Sequence, residues 1–141
     1  MRDIAISSLT PGTVLRVRSA RFPGVMHWGV TGYGRDAKGF PRVWHSQKSD
    51  ALRCTDFEEF SLGQHCEVLW VPPNRLQARR VIERLQANEG LPWHLTNANC
   101  EMVVRWAVED KPVSRQLEIG FLCAMGIAAL AVFATQGGST T

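Results

Sequence analysis

The hydrophobic pattern divides the chain into a β-rich half, a helical half and an apolar tail. Pro11-Gly12 is a turn signal. It leads into Thr13-Val14-Leu15-Arg16-Val17-Arg18, which alternates like a half-buried strand. Phe22-Pro23-Gly24 breaks the chain, and Val25-Met26-His27-Trp28-Gly29-Val30-Thr31 forms a second β-rich run that ends at Gly32-Tyr33-Gly34. The polar stretch Arg35-Asp36-Ala37-Lys38-Gly39 reads as a hairpin connection to a return strand, Arg42-Val43-Trp44-His45-Ser46. A later strand, Cys66 to Val71, stops at Pro72-Pro73. Asn74 is a good N-cap for a helix in which Ala78, Val81, Ile82 and Leu85 recur at helical spacing. Asn88-Glu89-Gly90 ends it, with Gly90 suited to a left-handed cap. A second helix is expected from about Cys100 to Glu109, and Pro112 bars its continuation. Ser114 can cap a third helix that begins near Arg115. Several antiparallel strands ahead of any strong helix indicate an α+β fold, a sheet packed against helices.

The run from Ile119 to Ala134 carries no charge and consists mostly of small and apolar residues. It is a little short of the roughly 20 residues of a spanning helix. Lys111 and Arg115 precede it, which would hold its N-terminal side in the cytosol. Two readings stand: a C-terminal membrane anchor through residues 119–134, or a helix buried against the domain or in a dimer. The expected organisation is a catalytic domain over 1–116 and a hydrophobic helix and tail over 117–141. Met1-Arg2-Asp3 opens without the apolar stretch of a secretory signal. The expected location is therefore the cytoplasm, with membrane association through the tail.

With 141 residues, 45% of them hydrophobic, the chain can bury a real core. A formal charge of +3 permits contact with an anionic surface but does not call for nucleic acid. Arg79, Arg80 and Arg84 read as a solvated helix face, since no aromatic residues interleave with them to stack bases.

The four cysteines, Cys54, Cys66, Cys100 and Cys123, form no CxxC pair and no zinc-site ladder. Cys100 follows Asn99, a favoured N-cap, and so falls in a first helical turn. The free N–H groups and macrodipole there favour an anion, which would lower the thiol pKa and help hold an oxyanion. Cys100 equally reads as a core cysteine, because Val103, Val104 and Ala107 share its helix face. A thiol enzyme also needs a base and a group that orients it. Strand alternation sets His27, Gly29 and Thr31 on one side, so His27 has small neighbours and room for a substrate or a thiol. His45, across the hairpin, is positioned to hydrogen-bond His27 and fix its tautomer. His94 is the rival base. His65 lies in a turn-like segment. No cofactor is expected. His27, His45 and Cys100 are acceptable zinc ligands, but their spacing matches no compact zinc pattern, so no metal is expected either.

Taken together these pieces resemble the lecithin:retinol acyltransferase-like branch of the NlpC-type, permuted papain-like thiol enzymes. The carriers are Pro11-Gly12-Thr13-Val14-Leu15, His27-Trp28-Gly29-Val30, Val43-Trp44-His45, Asn99-Cys100-Glu101 and Pro112-Val113-Ser114-Arg115-Gln116. Their order holds over roughly residues 9 to 118, and the Asn-Cys-Glu step is the most specific. The resemblance implies a circularly permuted papain-like fold, with Cys100 as nucleophile, His27 as general base and His45 as its orienting partner. It also implies an acyl-enzyme, an ester or amide substrate, and frequent use of lipid acyl chains. The family usually follows Asn-Cys-Glu with a histidine and an aromatic residue, where this chain has Met102 and Val103.

Three functions compete. One is a cysteine acyltransferase or acyl hydrolase acting on lipid esters. The second keeps the same thiol site but acts on peptide or isopeptide amides. The third is a non-enzymatic interaction module.

Overall fold

The computed structural model describes residues 5–20, 23–46, 51–93 and 99–109. Five strands form one antiparallel sheet: β1 (Val14–Arg18), β2 (Met26–Arg35), β3 (Pro41–His45), β4 (Arg53–Thr55) and β5 (Cys66–Trp70). Their order across the sheet is β4-β3-β2-β1-β5. Three α-helices, α1 (Phe57–Ser61), α2 (Arg75–Ala87) and α3 (Cys100–Glu109), and a 3-10 turn at Ile6–Ser8 complete the described fold. The α+β expectation, an antiparallel sheet with helices, is met.

Alternation along the central strands divides the core in two. Val14, Val30 and Trp44 point to the face covered by Val81 and Leu85 of α2 and by Val103, Val104 and Ala107 of α3. Leu15, Val17 and Val43 point to the other face, where Phe57 and Phe60 of α1 pack. Burying each such side chain contributes roughly 1.5–3 kcal/mol.

The turns follow their residues. Pro11-Gly12 bends into β1 with Gly12 at φ 84°, and the Gly12 N–H donates to the Thr31 carbonyl at 2.8 Å. Any side chain at 12 would press on the Ala78 backbone of α2, 3.0 Å from an added Cβ. In the β2–β3 hairpin, Asp36 Oδ1 accepts from the backbone N–H groups of Lys38 and Phe40, at 2.9 and 3.0 Å.

Asn74 caps α2, its Oδ1 accepting from the Gln77 N–H at 2.8 Å. Gly90 lies in the left-handed region beyond the end of α2, at φ 85°. Of the arginines on α2, Arg79 pairs with Glu83 at the surface. Arg84 departs from the solvated-face reading. It is half-buried, and its guanidinium donates to the Ala107 carbonyl at 3.0 Å near the end of α3. A cation there complements the helix dipole and ties the two helices together.

Among the described residues no helix is long and apolar enough to cross a membrane. The apolar run 119–134 and the helix expected after Ser114 lie outside the described residues.

Candidate active site

β2 carries His27 and β3 carries His45, and the sheet brings them together. His27 Nε2 stands 3.0 Å from His45 Nδ1. His45 Nε2 in turn stands 2.7 Å from the Thr55 hydroxyl on β4. The register explains this: Gly29 pairs with His45 and His45 with Arg53, so three neighbouring strands present side chains in a row. Thr55 is the member that sequence reasoning missed. β4 is a three-residue strand, too short for alternation to register.

The hydrogens of this row are assigned by the network. The Thr55 hydroxyl donates to the Asp56 carbonyl at 3.3 Å, so its oxygen accepts from His45 Nε2–H. His45 Nδ1 then carries a lone pair and accepts from His27 Nε2–H. The remaining nitrogen of a neutral His27, Nδ1, keeps its lone pair and is the basic atom. Burial pushes the His27 pKa down to about 4. His45 is pushed to about 3, by burial first and then by the charges of His27 and Arg53. Both rings are therefore neutral near pH 7.

The ring of Phe60 underlies the pair, 5.2 Å from the His27 ring centre and 5.5 Å from that of His45. This changes the expectation of open space beside His27. A Cβ at Gly29 would meet Phe60 at 2.7 Å and Val43 at 2.6 Å. Gly29 thus makes room for Phe60 rather than for a substrate. Thr31 is likewise occupied, its hydroxyl donating to the Thr10 carbonyl at 2.7 Å and accepting from the Thr13 N–H at 2.9 Å.

Cys100 is the first residue of α3, as expected. Asn99 Oδ1 accepts from the Met102 N–H at 3.0 Å, and the Asn99 carbonyl accepts from Val103 at 3.0 Å. The capped helix starts against β2, and the half-buried Cys100 directs Sγ to the Met26 carbonyl at 3.9 Å. Odd residues of β2 turn their backbone groups toward β1, as Thr31 does with Gly12 and Thr13. Met26 and Trp28 therefore face the β3 side. Pairing with β3 ends at Gly29↔His45, and the thiol occupies the edge just beyond.

The thiol thus lies against the two residues that flank His27. Among the described residues its hydrogen bond runs to Met26 and none joins it to the His27 ring. The His27 ring lies on the α1 face, while the body of α3 covers the opposite face. The helix-start setting leads one to expect a lowered thiol pKa. Instead burial pushes Cys100 up to about 11, against an opposing pull from the backbone N–H groups of Trp28 and Glu101. Desolvation outweighs the helix terminus here.

The other described cysteines are free thiols. Burial raises the pKa of Cys54, and that of Cys66 to about 11. His65 is exposed. The rival base His94, and Cys123, lie outside the described residues. Among the described residues no three of His, Cys, Asp and Glu gather as metal ligands would. No protein-family model matches this chain, and no curated protein sequence matches it.

Proposed function

We propose that the protein is a cysteine acyltransferase or acyl hydrolase with a permuted papain-like arrangement, acting on esters of lipid acyl chains. The observation that carries this reading is the row His27, His45, Thr55, whose hydrogen bonds leave His27 Nδ1 as the free base. A helix-start thiol beside that histidine's own strand supplies the nucleophile. The lipid preference rests on the resemblance and on the apolar run 119–134, which would hold the site at a membrane surface.

The chemistry starts from a neutral pair. The reaction requires that Cys100 leave the Met26 carbonyl and bring Sγ to His27. His27 Nδ1 takes the thiol proton as sulfur attacks the ester carbonyl carbon, and the carbonyl π pair moves onto oxygen. The imidazolium so formed donates through Nε2 to His45 Nδ1, which steadies the new charge. Collapse of the intermediate breaks the ester C–O bond, and the leaving alkoxide takes the proton from His27. Water or an acceptor alcohol or amine then takes the acyl group from sulfur, with His27 again as base. An amide passes through the same steps, so peptide hydrolysis stays within reach of this site.

The test is acylation by a p-nitrophenyl acyl ester, read by intact mass and by peptide mapping at Cys100. Wild type should gain one acyl group at Cys100, and Cys100→Ala and His27→Ala should not. Equal labelling of wild type and both variants would overturn the reading. A second reading, an interaction module without catalysis, is favoured by the Met26 bond of Cys100 and by Phe60 filling the space over Gly29. It requires that equal, site-independent labelling.

A further inference from the structure

A cleft of about 470 Å3 opens between β2, β3, β4 and the end of α2, with Arg42, Trp44, Cys54, Gln86 and Glu89 in its lining. It also takes in Gly34, at the end of β2 remote from Met26 and the Cys100 thiol, roughly 25 Å along the strand. Two glycines of β2 shape it. A Cβ at Gly32 would stand 3.3 Å from Trp44 Nε1 and 3.4 Å from Cys54 Sγ, and one at Gly34 would stand 3.3 Å from the Cδ of Arg42. With no side chain at either position, the indole, the thiol and the arginine stem lie down against β2. Trp44 is only 6% exposed, and its Nε1–H makes no hydrogen bond to any described residue. Native structures leave few such donors unmatched.

The cleft also carries separated charges. Arg42 Nη2 donates to the Cys54 carbonyl at 3.0 Å, and Nε stands 3.4 Å from Asp56 Oδ1. Its Nη1 makes no hydrogen bond among the described residues. The Glu89 carboxylate has neither an ion pair nor a hydrogen bond among them. It stands just past Asn88, the C-cap of α2, where a negative charge opposes the helix dipole. Burial is the main cause that raises the Cys54 pKa, and the thiol also feels both charges, Arg42 lowering its pKa and Glu89 raising it. The chain shows how they are arranged. The Gly90 N–H donates to the Leu52 carbonyl at 2.8 Å, which sets Glu89 at the Leu52 end of β4. Arg42 sits at the Asp56 end. Cys54 lies midway, and Leu52 to Asp56 spans roughly 13 Å of extended chain.

We propose that this cleft binds a small zwitterion, with its carboxylate at Arg42 Nη1 and Trp44 Nε1–H and its ammonium at Glu89. The carboxylate supplies the acceptor that the indole lacks. The ammonium supplies the cation that Glu89 lacks, and it is placed at a helix C-terminus, where positive charge is favoured. The Gln86 amide offers a donor and an acceptor between the two ends. The separation of the charges fits an extended ω-amino acid, hydrogen-bonded at both ends. The site is distinct from the His27 row and does not depend on the acyl-enzyme reading.

The test is a titration of the full-length, 15N-labelled protein with γ-aminobutyrate, read at the Trp44 indole N–H resonance. Butyrate and butylammonium, each carrying one of the two charges, are titrated in parallel. The zwitterion should shift the resonance saturably, in the millimolar range expected of so small a ligand. Each single-charge compound, and the zwitterion on Glu89→Gln or Arg42→Gln, should bind about fivefold more weakly. Bound γ-aminobutyrate should also slow alkylation of Cys54 by iodoacetamide and leave Cys66 unchanged. Failure of the zwitterion to move the Trp44 resonance would overturn the proposal. So would equal binding of butyrate or butylammonium, or a Glu89→Gln variant that binds like wild type. None of these results touches labelling at Cys100, so the two readings stand or fall separately.

Discussion

The imidazoles of His27 and His45 meet edge to face, at 81° between their planes, with Nε2 of one 3.0 Å from Nδ1 of the other. Two histidines in such contact can share one hydrogen, but they cannot both be charged without repulsion. Burial, the first cause for both rings, makes neutrality the working state, and the proximity of His27 adds to it at His45.

That neutrality predicts an acid-sensitive fold. The folded pKa values, about 4 and about 3, lie below the ordinary 6.5. Between these limits the unfolded chain binds more protons than the folded one, so stability rises with pH. It is full above pH 6.5 and is lost as the pH falls from there toward 3. The slope is about 1.4 kcal/mol per pH unit for each histidine. Urea unfolding at pH 7 and pH 5 should differ by about 2 kcal/mol per histidine, and His45→Gln should halve the difference. Equal stability at the two pH values would contradict the neutral pair.

Thr55→Val keeps the shape at 55 and removes the oxygen that accepts from His45 Nε2–H. A stranded donor costs about 1–3 kcal/mol, to be seen as a lower urea midpoint. His45 is then free to take the other tautomer, which occupies His27 Nε2 and leaves no lone pair on Nδ1. Acylation at Cys100 should slow roughly tenfold or more, within the range by which general base catalysis contributes. His45→Asn, which still offers an acceptor oxygen to His27, should retain more activity than His45→Ala.

Gly29→Ala places a methyl group where the ring of Phe60 and the Val43 side chain already lie. Overpacking of this kind costs about 1–3 kcal/mol. The expected result is a lower melting temperature and a displaced histidine pair. Pairing the change with Phe60→Leu should recover part of the loss. If Gly29→Ala alone melts with wild type, the packing account of the site is wrong.

Asn99→Ala removes the cap at the start of α3 and should cost about 1 kcal/mol. Its chemical effects should have opposite signs. A frayed first turn exposes the thiol and relieves the burial that raises its pKa, so alkylation at pH 8 should quicken. Acylation should slow, because the thiol is no longer held against β2. Measuring both rates separates loss of position from loss of reactivity.

Much of the frame was legible because the periodicities are strong. Alternation through Val14–Val17 and around Trp28–Thr31 marks the strands. Asn74 and Asn99 are caps whose side chains do what their type suggests. The His27–His45 contact follows from a hairpin between two alternating runs. What could not be read depends on contacts distant in sequence. Phe60 fills the space that Gly29 leaves, and nothing local to either residue signals it. Thr55 joins the histidines only because β4 docks beside β3. The raised pKa of Cys100 is hidden from the sequence for a related reason: the helix terminus is local and visible there, whereas the burial that outweighs it is made by packing distant in sequence.

Met26 and Cys100 stand 74 positions apart in the chain. During synthesis at about 5–20 residues per second, the thiol follows its strand roughly 4–15 s later. The contacts among β1, β2 and β3 are local and form early, whereas the docking of α3 closes a long loop and is slow. The nascent chain therefore carries a complete imidazole row for seconds before it owns Cys100. Acyl chemistry of the kind proposed needs α3, the last described element in the chain, docked against β2, so it waits on the strands that precede it.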